Sequence, residues 1–227
     1  MTLTDRIERF VAQLPDNVAL VAVSKYQPVE IIQEAYNAGL RYFGENKVQE
    51  IVEKHHALPS DIQWHFIGHL QTNKVRKIAS FITCIQSVDS VRLMEEIQVQ
   101  AKKNNRVIDC MIQFHIAREE AKYGFTFESF TDFLHSGALI GFSNLNIVGV
   151  MGMATFTEDM SQIRSEFKKL AAYYNELKSV YFSNKQDFKE ISMGMSDDWI
   201  IAVEEGTTII RIGTAIFGQR QKTNTLV

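Results

Sequence analysis

The sequence has little cysteine, no apolar run of membrane-spanning length and no dense basic cluster. Two cysteines in 227 residues, Cys84 and Cys110, each lie inside an apolar strand-like run. They exclude a disulfide scaffold and read as reduced core thiols of a cytoplasmic protein. Without a long apolar run there is no helical membrane anchor. The N-terminal segment Met1-Thr-Leu-Thr-Asp-Arg-Ile-Glu is polar and amphipathic and lacks the apolar core of a secretory signal. Net charge is -3, and the densest basic group is Lys74, Arg76 and Lys77, which reads as a solvated helix face. A nucleic-acid surface needs more clustered charge than that. No repeat, linker or low-complexity tract divides the chain, and the tail after Phe217 is short and polar. The expectation is one domain over residues 1–227, a monomer or weak dimer, with neither nucleic acid nor membrane as partner.

What is present is alternation. With 45% hydrophobic and 22% charged residues, the chain can build one sizeable core. After a short helix near residues 3–14, strand-like runs are predicted near 20–24, 42–43, 63–67, 82–87, 107–114, 146–151, 190–192 and 208–212. Helical spacings separate them, with apolar residues such as Ile31, Ile32, Ala35 and Ala38, or Leu93, Met94, Ile97 and Ala101. Strands alternating with helices predict an α/β fold with a parallel sheet, and eight such units predict a closed (β/α)8 TIM-type barrel with an extra N-terminal helix. A doubly wound open sheet is the alternative, because the second and seventh strands are short.

In such a barrel, chemistry belongs at the carboxyl ends of the strands. The first strand, Val18-Ala-Leu-Val-Ala-Val-Ser24, runs straight into Lys25. Burial strips hydration from such a lysine and favours a neutral amine that can attack an aldehyde; the plainer reading is a lysine that reaches solvent from a strand end. The seventh strand leads into Ser192-Met193-Gly194-Met195-Ser196-Asp197-Asp198 and the eighth into Arg211-Ile212-Gly213-Thr214. Glycines at those two ends suit a phosphate site, and Ser196 also reads as a helix N-cap. Asn46-Lys-Val-Gln49 reads as a capping box. His65 and His69 stand four apart, but Gly68 interrupts them and no cysteine or carboxylate completes a metal set, so no metal is expected. The methionines near 151–153 and 193–195 read as core filler or as packing for a flat ring.

Six stretches then carry a resemblance: SKYQP, FGENKVQE, WHFIGHLQTNK, GVMGMAT, SMGMSDDW and RIGTAIFG, in order, from about Ser24 to Gly218. They resemble the signatures of the pyridoxal-phosphate homeostasis protein family, whose barrel is similar to the N-terminal barrel of alanine racemases and which has no established turnover. The resemblance implies a protein that binds pyridoxal 5′-phosphate (PLP) and serves intracellular vitamin B6 homeostasis, by buffering PLP or delivering it to apo PLP-dependent enzymes. By that resemblance Lys25 carries PLP as a Schiff base. Ser192, Gly213 and Thr214 hold the phosphate, with backbone help near Met193 and Gly194. Arg211 faces the pyridine nitrogen, and Asn46, His65 and Met151 line the ring and its exit. Two departures stand near the rim: His69 where a small residue or proline is usual, and Tyr26 where threonine is common.

Arginine can only donate, so at the ring nitrogen it makes the cofactor a poor electron sink, unlike the carboxylate of transaminases. The tail gives no sign of the second domain that supplies a racemase with its opposite-face tyrosine, which again favours carriage over catalysis. A reduced single-domain amino-acid racemase is the alternative, with Tyr26, Tyr42 or His65 as its acid/base. A barrel enzyme acting on a phosphorylated sugar is the third reading. It needs paired carboxylates, for which only Glu45 and the Asp197–Asp198 pair are available.

Overall fold

The computed structural model describes residues 1–119 and 123–218. Eight strands, β1 (Ala19–Val23), β2 (Tyr42–Glu45), β3 (Gln63–Phe66), β4 (Cys84–Val88), β5 (Ile108–Gln113), β6 (Leu145–Met151), β7 (Glu190–Ser192) and β8 (Ile209–Ile212), close into a barrel in sequence order, β8 pairing with β1. Every pairing is parallel. The two short strands are therefore genuine, and the barrel stands rather than the open sheet. From residue 219 on, the polar tail lies outside the described residues.

The helices are α1 (Leu3–Val11), α2 (Val29–Asn37), α3 (Val48–Ala57), α4 (Val91–Lys103), α5 (Phe127–His135), α6 (Met160–Val180), α7 (Trp199–Glu204) and α8 (Thr214–Phe217), with 3-10 turns at Thr72–Lys77 and Ala138–Gly141. Local chemistry starts many of them. Thr2 and Asp5 form a reciprocal capping box on α1, and the side chains of Ser90, Thr126 and Asp159 cap α4, α5 and α6. Two expected caps move. Helix α3 starts at Val48 with Lys47, not Asn46, at its cap position, and α7 starts at Trp199 with Asp198, not Ser196, in that place. The basic group of Lys74, Arg76 and Lys77 lies on a 3-10 turn rather than an α-helix. Among the described residues no helix is long and apolar enough to cross a membrane.

Strand alternation sorts the side chains into two packings. Outward residues such as Phe43, Trp64, Ile85 and Ile112 join the helices in the main core. Inward residues Val21, Cys84, Met111, Met151 and Ile209 form a separate cluster inside the barrel. Both thiols are buried and unpaired, and burial pushes both well above the ordinary range.

At Gly149 in β6, an added Cβ would lie 1.8 Å from the carbonyl oxygen of Glu190 in β7. Gly149→Ala is expected to cost roughly 2 kcal/mol or more, read as a lower urea midpoint.

Candidate functional site

Val21 faces inward, so Val23 and Lys25 share its parity while Ser24 turns outward. Lys25 follows β1 by two residues, is half-buried, and makes no side-chain hydrogen bond or ion pair among the described residues. A tight turn holds it, with the Gln27 amide donating to the Ser24 carbonyl at 3.0 Å and Tyr26 in the left-handed region at φ 64°.

Across the closing seam, Arg211 of β8 is in register with Val21. Its guanidinium is buried, donating from Nη1 to Ser192 Oγ at 2.5 Å and from Nη2 to the Gly152 carbonyl at 3.0 Å. Ser192 Oγ donates in turn to Gln86 Oε1 at 2.7 Å, and Gln86 Nε2 lies 2.8 Å from His65 Nδ1. The direction of this chain follows from its first member. Arginine has no acceptor, so the Ser192 hydroxyl must pass its proton side onward. Gln86 then presents its amino group to His65, whose Nδ1 accepts and whose Nε2 carries the proton. Burial holds His65 down to about 4, which keeps the ring neutral as this direction requires. Burial also lowers Arg211, to about 10, so it remains charged at neutral pH. No carboxylate lies within ion-pair distance of it among the described residues; Asp198, itself raised by burial, acts from further away.

The loops after β7 and β8 are tied together. Met193 N–H donates to the Ile209 carbonyl at 3.2 Å, and Arg211 N–H donates to the Gly194 carbonyl at 3.0 Å. Gly194 has φ +95°, and a Cβ there would stand 2.6 Å from that of Ala202, so α7 packs directly on this turn. The buried Asp198 carboxylate braces the loop by accepting the Met195 amide at 2.5 Å. Gly194 N–H and the Thr214 hydroxyl have no acceptor among the described residues.

Lys25, Asn46, Met151, Ser192, Gly194, Arg211, Gly213 and Thr214 thus stand at one mouth of the barrel, at the ends of β1, β2, β6, β7 and β8. Asn46 does not cap a helix; its Oδ1 is buried without a partner. Met151 belongs to the inner cluster beneath this mouth, and His65 is engaged through Gln86. Met193 differs from its neighbours, for its side chain packs outside the barrel wall in the main core and its amide is already used. His69 leaves His65 altogether, stacking on Tyr123 and contacting Asp89 at 2.8 Å. Tyr42 does not approach Lys25. It begins β2 and lines a cavity of about 480 Å³ at the opposite, amino end of the barrel, with Asp109, Asn146 and Glu190. None of Lys25, Asn46, Ser192 or Arg211 lines that cavity. The residue that sequence reasoning missed is Gln86. Its signal was a polar amide at an inward position of a strand that is otherwise apolar at its centre.

Residues 2–221 match the family described as alanine racemase, N-terminal domain. The chain is 40% identical over 203 residues to the pyridoxal phosphate homeostasis protein of Aquifex aeolicus, covering 89% of this chain and 87% of that one. To the human protein of the same name it is 37% identical over 234 residues, covering 96% and 84%. The solved structure of PipY from Synechococcus elongatus with PLP bound superposes with a TM-score of 0.86 at 34% identity, covering 96% of this chain and all of that one (100%). An alanine racemase from Bacillus anthracis, at 18% identity and a TM-score of 0.71, covers 97% of this chain and 56% of its own, and shares the barrel fold.

The neutral His65 generates a pH prediction. Below its ordinary value of 6.5 the unfolded chain takes up a proton that the folded ring refuses until about 4. Stability from this residue is therefore complete above pH 6.5 and lost as pH falls through that window. Unfolding free energies should show the parent losing roughly 3 kcal/mol more than His65→Gln between those limits.

Proposed function

Because the chain belongs to the pyridoxal phosphate homeostasis protein family, we propose that it binds PLP at the carboxyl mouth of its barrel, with Lys25 holding the cofactor as a Schiff base. The observation that carries this reading is a lysine amine without a partner among the described residues, four residues beyond the register partner of a buried arginine that has no carboxylate at ion-pair distance among them. The residues fit the group. An aldehyde needs an amine, which Lys25 supplies; a phosphate needs donors, which Gly194 N–H and the Thr214 hydroxyl offer. Gly213 lets the chain turn into α8 at the same place. Arg211 presents a donor to the ring nitrogen, while Ser192 fixes the guanidinium and stands next to the phosphate loop. Asn46, with its partnerless buried oxygen, and Met151 line the ring. Met193 serves only by shaping the loop.

Bound PLP supplies an electrophilic aldehyde and a conjugated ring. The chain's own contribution is to hold that ring against a donor that never accepts a proton, which disfavours carbanion chemistry. The role is therefore carriage, buffering PLP or delivering it to apo PLP-dependent enzymes, by a single-domain protein of the cytoplasm that works as a monomer or weak dimer. Two buried free thiols, a modest net charge of -3 and the lack of a membrane-crossing helix among the described residues support that setting.

Borohydride treatment of the PLP-loaded protein followed by peptide mass spectrometry should place the adduct on Lys25, and Lys25→Ala should lose the visible absorption band while unfolding at the parent temperature. An adduct on Lys47 or Lys54 overturns the assignment. Pyridoxal without its phosphate should bind at least about tenfold more weakly, as the loss of one or more charge-assisted hydrogen bonds requires. Thr214→Val should weaken PLP but not pyridoxal. Equal affinities for the two ligands would remove the phosphate loop from the site.

A further inference from the structure

A second lysine lies behind Lys25. Lys54 of α3 is buried, and its Nζ donates to the Ser24 carbonyl at 2.9 Å, Glu45 Oε1 at 2.7 Å and Glu50 Oε2 at 3.1 Å. Glu45 Oε1 also accepts the Ser24 hydroxyl at 2.6 Å, and Glu50 Oε2 accepts the Tyr26 amide at 2.8 Å. The residue before Lys25 is thus held by Lys54 and Glu45 and the residue after it by Glu50, which Lys54 ties to Glu45, while the Lys25 side chain makes no hydrogen bond or ion pair among the described residues. Tyr26 needs such a hold, because φ 64° is a conformation that a side chain with a Cβ avoids.

We propose that Lys54, Glu50 and Glu45 form a clamp that positions Lys25 for its reaction with the aldehyde. This rests on the reading of Lys25 as the PLP-holding residue. In the covalent step the neutral amine nitrogen bonds to the aldehyde carbon, and the carbonyl oxygen leaves as water with the two amine protons. Only deprotonated lysine can do this. Lys47 braces the clamp from the outer side, 3.7 Å from Glu50 and 4.6 Å from the Tyr26 ring centre. Burial holds Glu45 above the usual carboxylate range against the pull of Lys54. Burial also pushes Glu50 upward, but the Tyr26 amide and Lys54 outweigh it and Glu50 sits below that range.

Lys54→Met and Glu50→Ala each loosen the turn, so at one fixed alkaline pH each should slow PLP capture about tenfold, as misplacement of a reacting group does. Lys54→Arg should restore most of the parent rate. Capture is followed by the visible band in a stopped-flow instrument, with thermal unfolding measured alongside. Lys54→Met leaves Glu45 buried without a cation; if it does not fold, Glu50→Ala, at a half-buried position, decides alone. Folded variants that capture PLP at the parent's rate overturn the clamp. Borohydride adducts absent from Lys25 in the parent overturn the underlying site instead, so the two failures are distinguishable.

Discussion

The site depends on one constraint: the Arg211 guanidinium is buried and can only donate. That fact orients the Ser192 hydroxyl, which orients the Gln86 amide, which fixes the His65 tautomer. Four strands, β8, β7, β4 and β3, are joined through the barrel interior by a chain with a single allowed direction. A buried charge is costly unless its donors are used. Here Ser192 and the Gly152 carbonyl take two of them. Rigidity and chemical character thus come from the same contacts. The interior that secures Arg211 leaves it a donor with no carboxylate at ion-pair distance among the described residues.

Much of this was legible in the sequence, and the reasons are local. Each strand is a short apolar run ended by glycine, serine or a charge, so β1, β5 and β6 announce themselves, and the order of the chain then dictates a parallel barrel. Even β2 and β7 were placed correctly, because Gly44 and Ser192 mark their ends. The helix over Phe127–His135 was not legible. Its sequence FESFTDFLH is rich in phenylalanine, threonine and serine, which have little helical preference of their own, and packing of Phe130 and Phe133 decides it. The misplaced caps at Asn46 and Ser196 have a common cause. A polar residue before a helix satisfies the capping pattern in sequence, but only the backbone shows whether its oxygen is already committed elsewhere.

The site residues divide in the same way. Lys25, Arg211 and the two glycine turns could be placed at one mouth by counting strands. Gln86, Lys54 and the pairing of Glu45 with Ser24 could not, because these contacts join residues far apart in the chain and depend on which side of a strand each one faces. Met193 follows the same rule: its side chain packs in the outer core while that of Ser192 beside it faces inward, because one step along a strand changes the face.

The pairing of β1 with β8 has a consequence in time as well as space. Lys25 follows the first strand to leave the ribosome by two residues, and Arg211 belongs to the last. Until the eighth strand arrives, the first has only one neighbour, the barrel is an open sheet, and Lys25 has no guanidinium across the seam from it. Whatever chemistry needs both sides of that seam therefore appears in one step, when the ring of strands closes.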